Sequence, residues 1–345
     1  MTTEGRSEAH RAASAWTIWA FAFGYFACYA PYSALTKALT RGLLPSMERP
    51  LAGFELLGPS VLAGTVGMVL FLWLSGWWRS ASRRRFGSVE LPVPRRATLL
   101  SGLCTAGIIG TTTMAYTFEG VSIVFVMLLM RGGVLVIAPI VDALSGRTTR
   151  WYSWAGLLLS LGALLVAFAE RGGYDITLLC ALDIALYLGC YFLRFRFMSA
   201  KAKSRDPEVN KRYFVEEQMV ASPALLLVLL VLGAMPLPAP FDAIGAGFAH
   251  IWSTPVWPET ILVGLLSQGT GIFGTLVFLD ARENTYSVPV NRSSSILAGV
   301  VASYSLHLLF GANPPSTHQL LGAALVIGAI LMLTVPPALA KGRAG

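Results

Sequence analysis

Apolar residues in this chain come in long blocks rather than in alternation. Ten blocks stand out, at 16–39, 57–77, 98–117, 121–143, 152–169, 178–198, 213–235, 258–279, 286–310 and 317–338. Roughly 20 apolar residues carry a helix across the hydrocarbon of a bilayer. The strict alternation of a membrane barrel is absent, and a backbone with no water to bond to must satisfy itself as helix. The pattern therefore predicts an all-α polytopic membrane protein with ten transmembrane helices. Pro31, Pro59, Pro139 and Pro223 fall inside blocks and predict kinks. Most connections are short. The exceptions are the Arg-rich 78–97 link, the charged 199–212 link and the charge-poor 236–257 link. The first block lacks a small-residue cleavage site and reads as a retained helix, which leaves 1–15 and 339–345 as polar tails.

The blocks repeat. Gly102, Gly107 and Thr113 align with Gly264, Gly269 and Thr275 at one offset, and Glu55 and Ser60 align with Glu217 and Ser222 at the same one. Tyr32 and Lys37 match Tyr191 and Arg196 at a slightly smaller offset. Glu119 and Arg131 match Asp280 and Arg292, and Gly156 and Gly162 match Gly322 and Gly328. The chain thus divides into a first five-helix repeat, 16–170, and a second, 178–338. Five is odd, so the second repeat enters from the opposite side. Inverted duplications of this kind place a transport site at the midplane between the halves.

Composition sharpens the class. Apolar residues make up 55% of the chain and charged residues 13%, against roughly 25% charged in soluble domains. The net charge of +8 invites a nucleic-acid partner, but its distribution argues against one. With the N-terminus inside, the inner segments hold eighteen Lys and Arg, whereas the outer ones hold Arg41, Arg49 and Arg171. That asymmetry predicts both termini on the cytoplasmic side of a cell inner membrane. Cys28, Cys104, Cys180 and Cys190 sit in apolar blocks without a CxxC pair, and His10, His250, His307 and His318 are scattered. No metal site or cofactor is expected. Residues 269–274 read GTGIFG, but that match to a dinucleotide fingerprint lies within a membrane block rather than after a strand. No nucleotide-binding loop or nucleophile–base pattern appears, so no enzyme is expected.

The residues that could carry chemistry are the charges inside the blocks. An arginine in a lipid-spanning helix costs about 2.5–3.5 kcal/mol on insertion scales. Arg131 and Arg292 occupy equivalent places in the fourth and ninth blocks. Their planar guanidiniums suit bidentate recognition of carboxylate or phosphate. Arg131, Leu135, Ala138 and Asp142 share one helical stripe, and Arg292, Ser295, Gly299 and Ser303 share another, with Asn291 beside it. Candidate substrate contacts are Arg131, Arg292, Asn291, Ser295, Tyr32, Tyr191 and Tyr187. Candidate gating or coupling groups are Lys37, Glu55, Asp183, Arg196 and Glu217, with Lys37 and Arg196 as cationic partners for the two glutamates. A second reading stays open, in which the arginines are paired inside the bundle by Glu55, Asp183 or Glu217 and set helix register without touching substrate.

The stretch 115–168 and its echo 276–333 resemble the last three helices of the repeat in the drug/metabolite transporter superfamily. That superfamily includes EamA-type exporters, nucleotide-sugar transporters and triose-phosphate translocators. The resemblance covers nearly the whole chain, about 16–338, through helix count, repeat order and glycine placement. One departure is Gly146-Arg147, where EamA-type repeats commonly carry Gly-Glu. The resemblance implies alternating-access secondary transport. Triose-phosphate translocators bind substrate phosphate with basic residues on their fourth and ninth helices, which Arg131 and Arg292 match by helix. The expected function is carriage of a small organic anion, such as a phosphorylated metabolite or nucleotide sugar, by a monomer or homodimer. The alternative is an EamA-like exporter of amphipathic or zwitterionic metabolites, with the arginines paired internally.

Overall fold

A computed structural model of the chain describes residues 3–114, 123–169 and 176–342; Glu119 and Arg171, used in the sequence reading, lie outside them. Eleven helices occur among the described residues: α1 (Thr3–Arg41), α2 (Gly53–Leu74), α3 (Arg96–Met114), α4 (Ile123–Leu144), α5 (Trp151–Phe168), α6 (Leu178–Lys201), α7 (Pro207–Gly233), α8 (Asp242–His250), α9 (Trp257–Phe278), α10 (Asn284–Phe310) and α11 (Thr317–Gly342). Each apolar block overlaps one long helix. Five of these, α2, α6, α7, α9 and α10, are long and apolar enough to cross a membrane. Their outward faces are greasy: Trp73, Leu74, Leu178 and Leu308 are all largely exposed, as suits hydrocarbon rather than water.

Three features depart from the sequence expectation. Helix α1 starts at Thr3 rather than after a tail, because Glu4, Glu8, Ala9, Ala12 and Ala13 are good helix formers. The 236–257 link folds into the nine-residue α8 and a 3-10 turn. The Arg-rich link is also ordered, as a two-stranded antiparallel hairpin of β1 (Arg83–Phe86) and β2 (Val89–Pro92), registered from Arg83↔Pro92 to Phe86↔Val89. Its two-residue turn places Gly87 at φ +62°, a backbone setting that favours glycine.

Helix termini are tied by identifiable side chains. Thr177 caps α6 by accepting from Cys180 N, and Asp206 caps α7 just ahead of Pro207. Helix α1 packs on α9 and α10, and α6 packs on α3 and α4. Helix α2 lies against α9 and α7, α3 against α7, and α5 against α11. Glycines set these close approaches. A Cβ on Gly107 of α3 would stand 3.0 Å from Cys190 Sγ of α6, and one on Gly269 of α9 would stand 2.7 Å from Cys28 Sγ of α1. Gly102 faces Val220 and the Glu217 carbonyl, Gly264 faces the Ser60 carbonyl, and Gly156 faces Leu333.

Candidate functional site

Two arginine–tyrosine units sit where the bundles meet. On α4, Arg131 donates from Nη2 to the Tyr29 hydroxyl of α1 at 2.6 Å. Its guanidinium carbon lies 5.9 Å from the centre of that ring, and Tyr29 stacks on Tyr25 at 5.4 Å. On α10, the Arg292 guanidinium lies 5.2 Å over the Tyr191 ring of α6, and Tyr191 meets Tyr187 at 4.9 Å. Tyr25 and Tyr187 each lie within electrostatic range of both guanidiniums. Tyr25 also stands against Gly274 beside Asn291, so the two units share one interface, with four tyrosine rings around them. Helical spacing explains the pairing: residues 25 and 29, like 187 and 191, stand one turn apart on one face.

The second unit carries donors that no described residue satisfies. Arg292 is 5% exposed, yet its Nε and Nη2 have no hydrogen-bond partner among the described residues, and neither has the Nδ2 of Asn291 next to it. All three are donors. Gly274 of α9 faces Tyr25 and Asn291 Nδ2, and a Cβ there would stand 3.1–3.3 Å from them. Ser295 is committed elsewhere, donating to the Arg292 carbonyl at 2.7 Å. Tyr32 lies edge-on to Tyr29 at 5.7 Å, and Tyr187 and Tyr191 are buried. The expected contacts Arg131, Arg292, Asn291, Tyr187 and Tyr191 are thus brought together, and Tyr32 sits at their margin. Tyr25 and Tyr29 are additions.

The expected gate pairs form differently. Glu55 takes a bidentate contact from Arg49, at 2.9 and 2.7 Å, rather than from Lys37, because the turn before α2 folds Arg49 back onto the helix start. Lys37 is half-buried and forms no ion pair among the described residues. Glu217 pairs with Arg194 through two bonds of 2.9 Å, not with Arg196. Arg194 looks across the bundle from the buried face of α6, where Thr275 accepts from its Nη2 and Ser101 donates to Glu217. Arg196, half a turn on, points to the far end of α4 and donates to the Leu144 carbonyl and Ser145 Oγ. Neither Glu55 nor Glu217 pairs with Arg131 or Arg292. Asp183 is 4% exposed, and both of its carboxylate oxygens lack a partner among the described residues.

Beyond the arginines, the ends of α4, α6, α9 and α10 are laced together on the side of the 145–150 turn. Asp142 of α4 caps α10, taking the backbone N–H groups of Asn284 (2.9 Å) and Thr285 (2.7 Å) as well as both side chains. Lys203, in the turn after α6, donates to the Phe278 carbonyl at the end of α9 and to Ser287 Oγ. Arg147 donates to the carbonyls of Ala281 and Ser199. This polar lace closes one end of the α4/α6–α9/α10 interface. Asp142 was legible only as a member of the Arg131 stripe; its capping role depends on a helix far away in sequence.

No protein-family model matches the chain, and no curated protein does. Solved structures do match it. One, described as a crystal structure of a protein, is similar over 92% of this chain and 96% of its own, with a TM-score of 0.56 at 16% identity. A likeness at that identity carries the fold alone.

Proposed function

We propose that the chain is a secondary-active carrier of a small organic anion, working by alternating access and without enzymatic activity. Ten spanning helices in two inverted five-helix repeats, of the drug/metabolite transporter type, give it that capacity. Packing supports the duplication. Exchanging α1–α5 for α6, α7, α9, α10 and α11 turns α1 on α9 into α6 on α3, α1 on α10 into α6 on α4, and α2 on α9 into α7 on α3. The glycine contacts exchange likewise, Gly107–Cys190 for Gly269–Cys28.

The observation that carries the substrate class is the set of three buried donors without acceptors among the described residues, Arg292 Nε, Arg292 Nη2 and Asn291 Nδ2. A buried unpaired donor costs about 1–3 kcal/mol, and more when charged. A bound carboxylate or phosphate supplies the missing acceptors and neutralises Arg292 and Arg131 together. Tyr29 and Tyr191 hold the two guanidiniums in place for it. Opening of the polar lace around Asp142 and Lys203 then exposes the site to the other side, the cytoplasm of an inner-membrane protein with both termini inside.

The purified protein should be stabilised against heat by phosphorylated or carboxylated small molecules. Arg292→Ala should weaken that response by roughly thirtyfold or more, as loss of one partner of a buried charge pair does. In proteoliposomes the same change should stop anion uptake. Uptake that survives both Arg131→Ala and Arg292→Ala sinks the reading.

Asp183 favours a second reading. Its carboxylate, without a partner among the described residues and on the same face of α6 as Tyr187, offers a place for an ammonium group, so a zwitterionic substrate would use both ends. Uptake of an amino acid abolished by Asp183→Asn, with simple anions untouched, selects it.

A further inference from the structure

The end of the molecule that carries the hairpin holds a basic concavity that the transport reading does not use. It is an open hollow of about 790 Å³ between the β1–β2 hairpin, the turn after α2 and the first turns of α7, and Arg79, Arg83, Arg95, Lys211 and Arg212 line it with Glu208 as the one acid. Glu208 lies 3.6 Å from Lys211. The four arginines form no ion pair among the described residues.

The site is built rather than loosely gathered. Glu216 of α7 is fully buried and accepts from Ser82 N (3.0 Å), Arg95 N (3.0 Å) and Thr98 Oγ1 (2.6 Å). One carboxylate thereby fixes both strands of the link at the points from which Arg83 and Arg95 emerge. Arg95 is braced on Ser82 Oγ at 2.9 Å, and Arg79 and Arg83 share the Trp78 ring at 5.9 and 5.3 Å. Positive charge that only sets topology needs no such scaffold, because retention in the cytoplasm depends on the presence of Lys and Arg, not on their arrangement.

Position selects the occupant. The concavity begins at Gly76, two residues past the end of α2, whose last residues Trp73 and Leu74 face outward at 66% and 73% exposure. Trp77 and Trp78 stand at this boundary, as aromatic side chains do at headgroup level. A ligand here has its charge among five cations and its tail beside a lipid-facing helix.

We propose that this concavity binds the phosphate-bearing headgroup of an anionic phospholipid from the adjoining leaflet. The inference rests on the membrane placement of α2 and is independent of anion carriage at Arg131 and Arg292. Titrating the full-length protein in detergent with dioctanoyl phosphatidylglycerol should raise its melting temperature, while dioctanoyl phosphatidylcholine should not. The double change R79Q/R83Q should weaken the response about thirtyfold, at roughly fivefold for each interfacial charge. Lys211→Gln, on a different element, should weaken it about fivefold. Arg292→Ala should leave it intact, which separates this site from the carrier site. An equal response to inorganic phosphate at the same concentration assigns the concavity to free anions and overturns the lipid proposal. So does a phosphatidylglycerol response that persists in both R79Q/R83Q and Lys211→Gln.

Discussion

Each of the two arginines leans on a tyrosine of another helix, Arg131 on Tyr29 and Arg292 on Tyr191. Tyr32 and Tyr191 both precede a basic residue in their blocks, and on that cue the sequence pairs the wrong tyrosine of the first block with Tyr191. The offset that aligns Glu55 with Glu217 and Gly102 with Gly264 instead pairs Cys28 with Cys190, Tyr25 with Tyr187 and Tyr29 with Tyr191. Applied to the first helix, that one offset finds the tyrosines of both units; the arginines match at an offset one residue smaller. The ion pairs were beyond such reasoning. Glu217 chooses Arg194 over Arg196 because a helix turns by more than half its circle between one choice and the other, and sequence alone does not say which face looks inward. Lys203 was similarly unreadable. It stands in a left-handed backbone setting, φ 53°, and burial pushes its ammonium down to about 7 from 10.5, with Asp280 pulling upward against it. Between those two values the unfolded chain holds a proton that the folded chain has released, so stability should rise with pH across that window, by at most about 1.4 kcal/mol per unit. Below about pH 7 both states are protonated and the slope vanishes. Lys203→Met should flatten the rise in a melting-temperature series from pH 7 to 10; an unchanged slope would assign it to other groups.

Elements were legible wherever hydrophobic length was the signal. Ten blocks correspond to ten long helices, with most described ends displaced by a few residues and the start of α1 by thirteen. The misses were places where chain polarity concealed order. Helix α8 lies in a stretch too short and mixed to read as a block, and the hairpin's arginines looked like simple topological charge. The hairpin is held by Glu216, whose partners Ser82, Arg95 and Thr98 lie more than a hundred residues away in sequence. Glycine placement, by contrast, read through to packing: the pairs found by offset occupy matching helix crossings. Gly102→Ala and Gly264→Ala should therefore behave alike. Each adds a methyl against the backbone of a neighbouring helix, at the Glu217 and Ser60 carbonyls, and each should cost about 1–3 kcal/mol. Urea-monitored or thermal unfolding of the two variants checks this, and a large effect in only one of them would break the equivalence of the crossings.

For the whole molecule, the carrier reading proposed above requires two assemblies that part and rejoin. Asp142 joins them by capping α10 from α4 with four hydrogen bonds. Asp142→Ala removes all four and should bias the protein toward the state open at that end. A single cysteine at Ser145, with the native cysteines replaced, should then react several times faster with a membrane-impermeant maleimide than in the Asp142 background. A rate unchanged by the substitution would place the barrier to opening elsewhere. The inverse result, slower labelling, would contradict the view of Asp142 as a latch.

Glu216 has one more effect. By clamping the hairpin's base to α7, it turns the arginine-bearing ribbon into a lever attached to a helix that packs on α2 and α3. Any tilt of α7 is displayed, magnified, at the ribbon's tip around Gly87 and Ser88, outside the bilayer. A spin label or dye at Ser88 would watch the inner machinery move without disturbing a single side chain around the arginines.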